Sequence, residues 1–206
     1  MTTRKFLTGA AKLAGVMGWP VKHSRSPRLH GHWLDHYDID GAYLPLAVAP
    51  EHLESALRGL HALGFRGVNL TIPHKEAVMP FIDEVSEAAK RIGAVNTIVI
   101  GEGGRLRGDN SDGFGFIASI NASAPDWRAA SGPAVILGAG GAARAVAVAL
   151  LDAGAPDLRL INRTRERAER LAETLEAIAP GRAIDITAWE QRADALDGAH
   201  LLVNTP

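Results

Sequence analysis

The chain contains no cysteine. That excludes a disulfide framework, a thiolate nucleophile and any cysteine-ligated zinc site. It has no charge excess of either sign: 22 Lys and Arg stand against 23 Asp and Glu, a formal net charge of -1. Binding to nucleic acid by bulk electrostatics is thereby excluded. It lacks a long apolar run. The longest, Ala142 to Leu151, is interrupted by Arg144 and falls short of the ~18 residues that span a bilayer. The opening Met1–Leu7 has too few apolar residues for a secretory core. The expectation is a cytoplasmic protein with no membrane partner. What is present is globular in character: 47 % hydrophobic and 22 % charged residues over 206 positions, enough for one large domain or two small ones. Such a chain buries roughly 70 % of its unfolded surface. Glycine is abundant, at 22 residues, where a usual share of ~7 % would give about 14.

Strand and helix patterns alternate along most of the chain. Lys12 to Met17 predicts a strand, followed by a helix that Ser26 caps and Pro27 opens. Ala42 to Val48 predicts a second strand, and Pro50 a second helix with Leu53, Leu57, Leu60 and Leu63 on one side, closed by Gly64. Val68 to Ile72 alternates with period two, placing Asn69 and Thr71 on one face. Glu76 to Ile92 is predicted to be largely helical. Ala94 to Ile100 predicts a strand, with a turn and a returning strand at Arg105 to Arg107. After a stretch rich in Ala, Ser, Pro and Gly (residues 121–133), strands are predicted at 134–137, 158–161, 183–187 and 201–203, with helices at 140–151 and 164–178. The alternation predicts an α/β fold of two domains with parallel sheets: residues 1–112, and a Rossmann-like domain over 113–206.

Gly138-Ala139-Gly140-Gly141-Ala142-Ala143 fits the G-x-G-x-x-G/A pattern. It follows a predicted strand and opens a predicted helix, the context in which this pattern binds a dinucleotide. The first glycine allows a tight turn, and the second lets a pyrophosphate approach the backbone. The small third residue lets helix and strand pack closely, and the helix N-terminus offers unpaired N–H groups to the phosphates. A glycine turn serving packing alone is the competing reading. The next strand ends in Asn162-Arg163-Thr164, with Arg167 one turn on. No carboxylate stands at the tip, and two arginines suit a ribose phosphate. The expected cofactor is NADP. The alternative is that these arginines only solvate a face shared with Glu166, Glu169 and Glu173.

Polar residues in the first half gather where strands end. Ser24 and Ser26 beside a helix start suit a carboxylate, although Ser26 also reads as an ordinary N-cap. Thr71 is followed by Lys75, Asn96 interrupts an apolar strand, and Asp112 stands at a helix start, where a cap is again the simpler role. A lysine and an aspartate together can serve carbonyl reduction. Hydride arriving at carbon leaves charge on oxygen, which an oriented ammonium stabilises or protonates. The residues alone do not select Lys75 and Asp112 as that pair.

Taken in order, the motifs GWPVKHSRSPRLH (18–30), NLTIPHK (69–75), GAVNT (93–97), GDNSDG (108–113), GAGGAAR (138–144) and NRT (162–164) make the chain similar to the shikimate dehydrogenase family from about Ala14 onward. The resemblance implies reduction of 3-dehydroshikimate to shikimate with NADPH, in aromatic amino-acid biosynthesis. It implies Lys75 and Asp112 as the catalytic pair, Ser24 and Ser26 on the substrate carboxylate, and Thr71 and Asn96 on ring hydroxyls. Gly138, Ala139, Gly140, Gly141, Ala142, Ala143 and Arg144 would hold the pyrophosphate, and Asn162, Arg163, Thr164 and Arg167 the adenosine ribose phosphate. Asn204 and Thr205 would lie near the nicotinamide. Leu70, Ser111 and Gly31 depart from the family's frequent Val, Thr and Asn, and none removes a functional group.

The family continues for several tens of residues past the Asn-Thr-Pro motif. The chain is therefore expected to be cut short within its nucleotide domain. That keeps two alternatives open: an NAD-linked quinate or shikimate dehydrogenase, and a non-catalytic ligand-binding module. His30, His32 and His36 share a predicted helix without a metal-binding pattern, so no metal is expected. His23 and His74 are read as local hydrogen-bonding groups. The expected partner is a small molecule bound by a monomer or homodimer.

Overall fold

A computed structural model describes residues 6–205. Met1 to Lys5 and Pro206, the last residue of the expected Asn-Thr-Pro motif, lie outside the described residues. Residue contacts divide the chain into two compact units. One runs up to Lys90 and includes Ala94–Asp109; the other comprises Arg91–Gly93 and the chain from Asn110 onward.

The first unit is built on a six-stranded sheet of β1 (Lys12–Gly18), β2 (Gly41–Ala47), β3 (Phe65–Leu70), β4 (Glu84–Val85), β5 (Thr97–Ile100) and β6 (Leu106–Asp109), in the order β2-β1-β3-β5-β6-β4. Strands β1, β2 and β3 are parallel, and α1 (Ser26–His36) and α2 (Leu53–Ala62) make the connections. In α2 the apolar residues recur at the helical period. Leu53, Leu57 and Leu60 are buried in a core with Met17, Val68 and Ile98; each such leucine contributes about 1.5–3 kcal/mol by leaving water. Gly64, at φ +77, ends the helix in the left-handed region.

Three expectations need correction here. The sheet is mixed, not wholly parallel: β5 runs antiparallel to β3, while β6 returns antiparallel to β5 as the expected returning strand does. The segment expected to be helical from Glu76 to Ile92 is broken into α3 (His74–Ala77), a 3-10 turn at Met79–Phe81, β4 and α4 (Glu87–Ile92). Pro80 falls inside that segment and cannot donate to a helix ladder. Finally, Arg25 and not Ser26 is the N-cap of α1, and its side chain makes no capping bond. The Ser26 N–H donates instead to Ser24 Oγ at 3.3 Å.

The second unit carries a four-stranded parallel sheet in the order β10-β7-β8-β9, with β7 (Ala134–Leu137), β8 (Asp157–Ile161), β9 (Ala183–Thr187) and β10 (Leu201–Asn204). Helices α6 (Gly141–Asp152) and α7 (Arg165–Ile178) link β7 to β8 and β8 to β9. Most residues of β7 and β8 are buried and the rest half-buried, as in strands covered on both faces. Helix α5 (Asp112–Ser123) packs on α6. Among the described residues no helix is long and apolar enough to cross a membrane.

Candidate functional site

In the first unit, the residues singled out from the sequence gather at one end of the sheet. Parallel α/β sheets bind ligands beyond the carboxyl ends of their strands. Strand β1 ends at Gly18 and leads to Ser24 and Ser26; β3 ends at Leu70 and leads to Thr71 and Lys75. Backbone bonds fix these turns to each other: Thr71 N–H donates to Met17 O at 2.9 Å, and Trp19 N–H to Ile72 O at 3.0 Å. Because β5 is antiparallel to β3, with Asn69 opposite Thr97, the amino end of β5 reaches the same edge. Asn96 therefore lies just before the strand rather than interrupting it, and is buried. The Val95 N–H donates to Lys75 O at 2.8 Å, tying the Lys75 turn to the Asn96 segment. Ser24, Ser26, Thr71 and Lys75 are all half-buried.

His74 is fully buried and hydrogen-bonded through Nε2 to Val48 O at 2.8 Å. A carbonyl only accepts, so Nε2 carries the proton. This bond anchors the helical turn that bears Lys75 to the chain just after β2. The local hydrogen-bonding role expected of His74 is what it has. Two further residues join the candidate groups that sequence reasoning had not singled out. Tyr43 of β2 donates to Asn69 Oδ1 at 2.7 Å. Burial pushes its pKa up to about 12, with the Ser26 side chain acting against that rise. Thr97 accepts from Asn69 Nδ2 at 3.0 Å and donates to Asn96 Oδ1 at 2.9 Å.

In the second unit, Asp112 is the first residue of α5, with Ser111 in the cap position. It is therefore not itself the cap. Its N–H donates to the side-chain oxygen of the buried Asn110 at 3.0 Å. The glycine loop closes the β7-α6 connection. Gly138 has φ +118, and its N–H donates to Ile161 O at 2.8 Å. A Cβ there would collide with the carbonyl of Thr205, which is itself held by bonds from its N–H and Oγ1 to Leu137 O at 2.7 and 2.9 Å. Gly140 is the cap of α6, and a Cβ there would meet nothing within 4 Å. Open space thus lies before a helix start whose first N–H groups have no partner within the helix. That combination fits a dinucleotide pyrophosphate.

Ala139 and Gly141 are half-buried, Ala142 is exposed and Ala143 is fully buried. Arg144 extends to α7, where Nη1 donates to Thr174 Oγ1 at 3.2 Å. Asn162 donates through Nδ2 to Thr164 O at 2.8 Å, shaping the turn after β8. Arg163 and Arg167 are exposed there. An ion pair on α7 joins Arg165 to Glu169 at 2.8 Å. Asn204 ends β10.

A parallel sheet with a glycine loop between its first strand and helix defines a dinucleotide-binding protein. Residues 16–98 match the family described as shikimate dehydrogenase substrate binding domain, and residues 123–199 that described as shikimate / quinate 5-dehydrogenase. A protein of Rhodospirillum rubrum named shikimate dehydrogenase (NADP(+)) is 59 % identical over 199 residues, which are 97 % of this chain and 70 % of that protein. A protein of the same name from Paramagnetospirillum magneticum is 56 % identical over the same shares. The crystal structure of shikimate dehydrogenase from Aquifex aeolicus superposes with a TM-score of 0.86 at 35 % identity, covering 98 % of this chain and 71 % of that one. The chain belongs to the shikimate dehydrogenase family and spans about 70 % of the length of these relatives.

Proposed function

We propose that Lys75 and Asp112 are the catalytic groups of an NADP-dependent shikimate dehydrogenase. The enzyme reversibly reduces 3-dehydroshikimate to shikimate in aromatic amino-acid biosynthesis. The observation that carries this reading is the single sheet edge where two serine hydroxyls, a threonine, an amide and an ammonium meet. Such a set suits a small carboxylic acid rich in hydroxyls, in a chain of this family.

In this reading Ser24 and Ser26, at the start of an 11-residue helix, take the carboxylate. Thr71 and Asn96 take ring hydroxyls. The Gly138–Arg144 loop holds the pyrophosphate. Asn162, Arg163, Thr164 and Arg167 hold the ribose phosphate, and Asn204 and Thr205 lie near the nicotinamide. NADPH, when bound, supplies the hydride. Lys75 then donates to the substrate oxygen as negative charge develops on it, and Asp112 accepts from a neighbouring ring hydroxyl. The first unit is the substrate domain and the second the NADP domain. The enzyme is cytoplasmic, a monomer or homodimer that binds neither nucleic acid nor membrane; the balanced charge supports the lack of nucleic-acid binding.

Lys75→Ala tests the reading. Turnover should fall at least ~100-fold, the low end for a general acid–base group, while NADP still binds in a direct titration. Near-normal turnover overturns the assignment.

A further inference from the structure

We propose that Tyr43 is a positioning residue for substrate binding, its hydroxyl helping to hold the Asn96 amide in place through Asn69 and Thr97. The inference rests on the reading of Ser26 and Asn96 as substrate groups. Tyr43 lies in β2 opposite Ala14 of β1. Its ring is stacked flat on His30 of α1, with centroids 3.9 Å apart and an interplanar angle of 2°, so the phenol is aimed before any ligand arrives.

From that hydroxyl a chain of side-chain bonds crosses the sheet. Tyr43 Oη donates to Asn69 Oδ1 at 2.7 Å, and Asn69 Nδ2 donates to Thr97 Oγ1 at 3.0 Å. The Thr97 hydroxyl then donates to Asn96 Oδ1 at 2.9 Å. Each member passes a donor to the next, so Tyr43, Asn69 and Thr97 hold the Asn96 side chain as one connected set. The Thr97 bond fixes which end of the Asn96 amide is the acceptor side. The polarity of Asn69 is set by the Asn96 backbone carbonyl, which only accepts and lies 3.4 Å from Nδ2, and Tyr43 holds the other end of that amide at Oδ1. Burial keeps Tyr43 protonated well beyond neutral pH, so the donor is permanent.

Titration with shikimate in the absence of cofactor tests the role. Tyr43→Phe keeps the ring and its stacking partner and removes only the hydroxyl. Thr97→Val breaks the chain at a second point without touching Tyr43. Each should weaken shikimate binding roughly 5- to 10-fold, the worth of about one neutral hydrogen bond, and leave NADP binding unchanged. In an Asn96→Ala background, Tyr43→Phe should cause no further loss. The role is overturned if Tyr43→Phe binds shikimate like the unaltered protein. It is also overturned if the variant weakens binding by the same factor with Asn96 already removed, which is how a general structural defect behaves. Ser26→Ala and Asn96→Ala separate this from the parent reading. If both bind shikimate normally, the site assignment falls and the inference with it; if both bind weakly while Tyr43→Phe does not, only the Tyr43 role falls.

Discussion

A histidine stacked on a half-buried phenol resists protonation, because a charged ring there loses hydration. Burial lowers the pKa of His30 below its ordinary 6.5. The unfolded chain therefore takes up this proton first as pH falls through 6.5, and the folded state only later. The stability that neutral His30 contributes is fully present above pH 6.5 and lost progressively below it. His30→Gln should remove that part of the loss. Denaturant unfolding at pH 7.5 and 5.5 should show a smaller decline for the variant than for the unaltered protein, and equal declines would refute the account. At this scale the sequence was partly informative. Ser24, Thr71, Lys75 and Asn96 stand out as polar residues at strand ends. Tyr43 and Thr97 do not. Their significance lies in bonds linking residues 43, 69 and 96–97, which come from separate stretches and meet only once strands pair.

At the scale of elements, the β7-α6 loop separates folding from binding. Gly138→Ala places a side chain in the left-handed region and against the Thr205 carbonyl. It should cost roughly 1–3 kcal/mol of stability and weaken NADP binding as well. Gly140→Ala has room for its methyl and a φ of -94 that alanine accepts. It should change stability by no more than about 1 kcal/mol, yet weaken NADP by filling space the proposed pyrophosphate needs. Denaturant melts paired with NADP titrations distinguish the two, and a Gly140→Ala variant with normal NADP affinity would refute the loop assignment. This loop was legible because its glycines, strand and helix are contiguous. Strand β4 was not, since two residues carry no periodicity. Nor was the antiparallel pairing of β3 with β5, because local pattern does not encode which way a distant partner runs.

At the scale of the whole molecule, the strand-end loops of the first sheet and the glycine loop of the second should answer to different ligands. Shikimate alone should slow amide exchange around residues 24–26, 71–75 and 94–97. NADP alone should slow it around 138–144 and 162–164. Protection of 138–144 by shikimate alone would overturn this division of roles. The alternation of strands and helices made the two α/β sheets legible. The mixed order of the first was not, for the pairing reason given above.

That mixed order has a consequence for redesign. The chain from Pro73 to Ala94 varies in form, with a short helix, a 3-10 turn, a two-residue strand and a second helix. The spacing of Thr71 from Asn96 does not depend on its length. It is fixed by the β3–β5 ladder, where Asn69 faces Thr97 and Leu70 N–H donates to Asn96 O at 2.8 Å. The ladder acts as a ruler between Thr71 and Asn96. Substitutions at exposed positions of the intervening chain leave the ends of that ruler in register, whereas Ala89, buried in the core, and Asp83, which accepts from the Leu106 N–H at 2.8 Å, tie that chain to the same sheet.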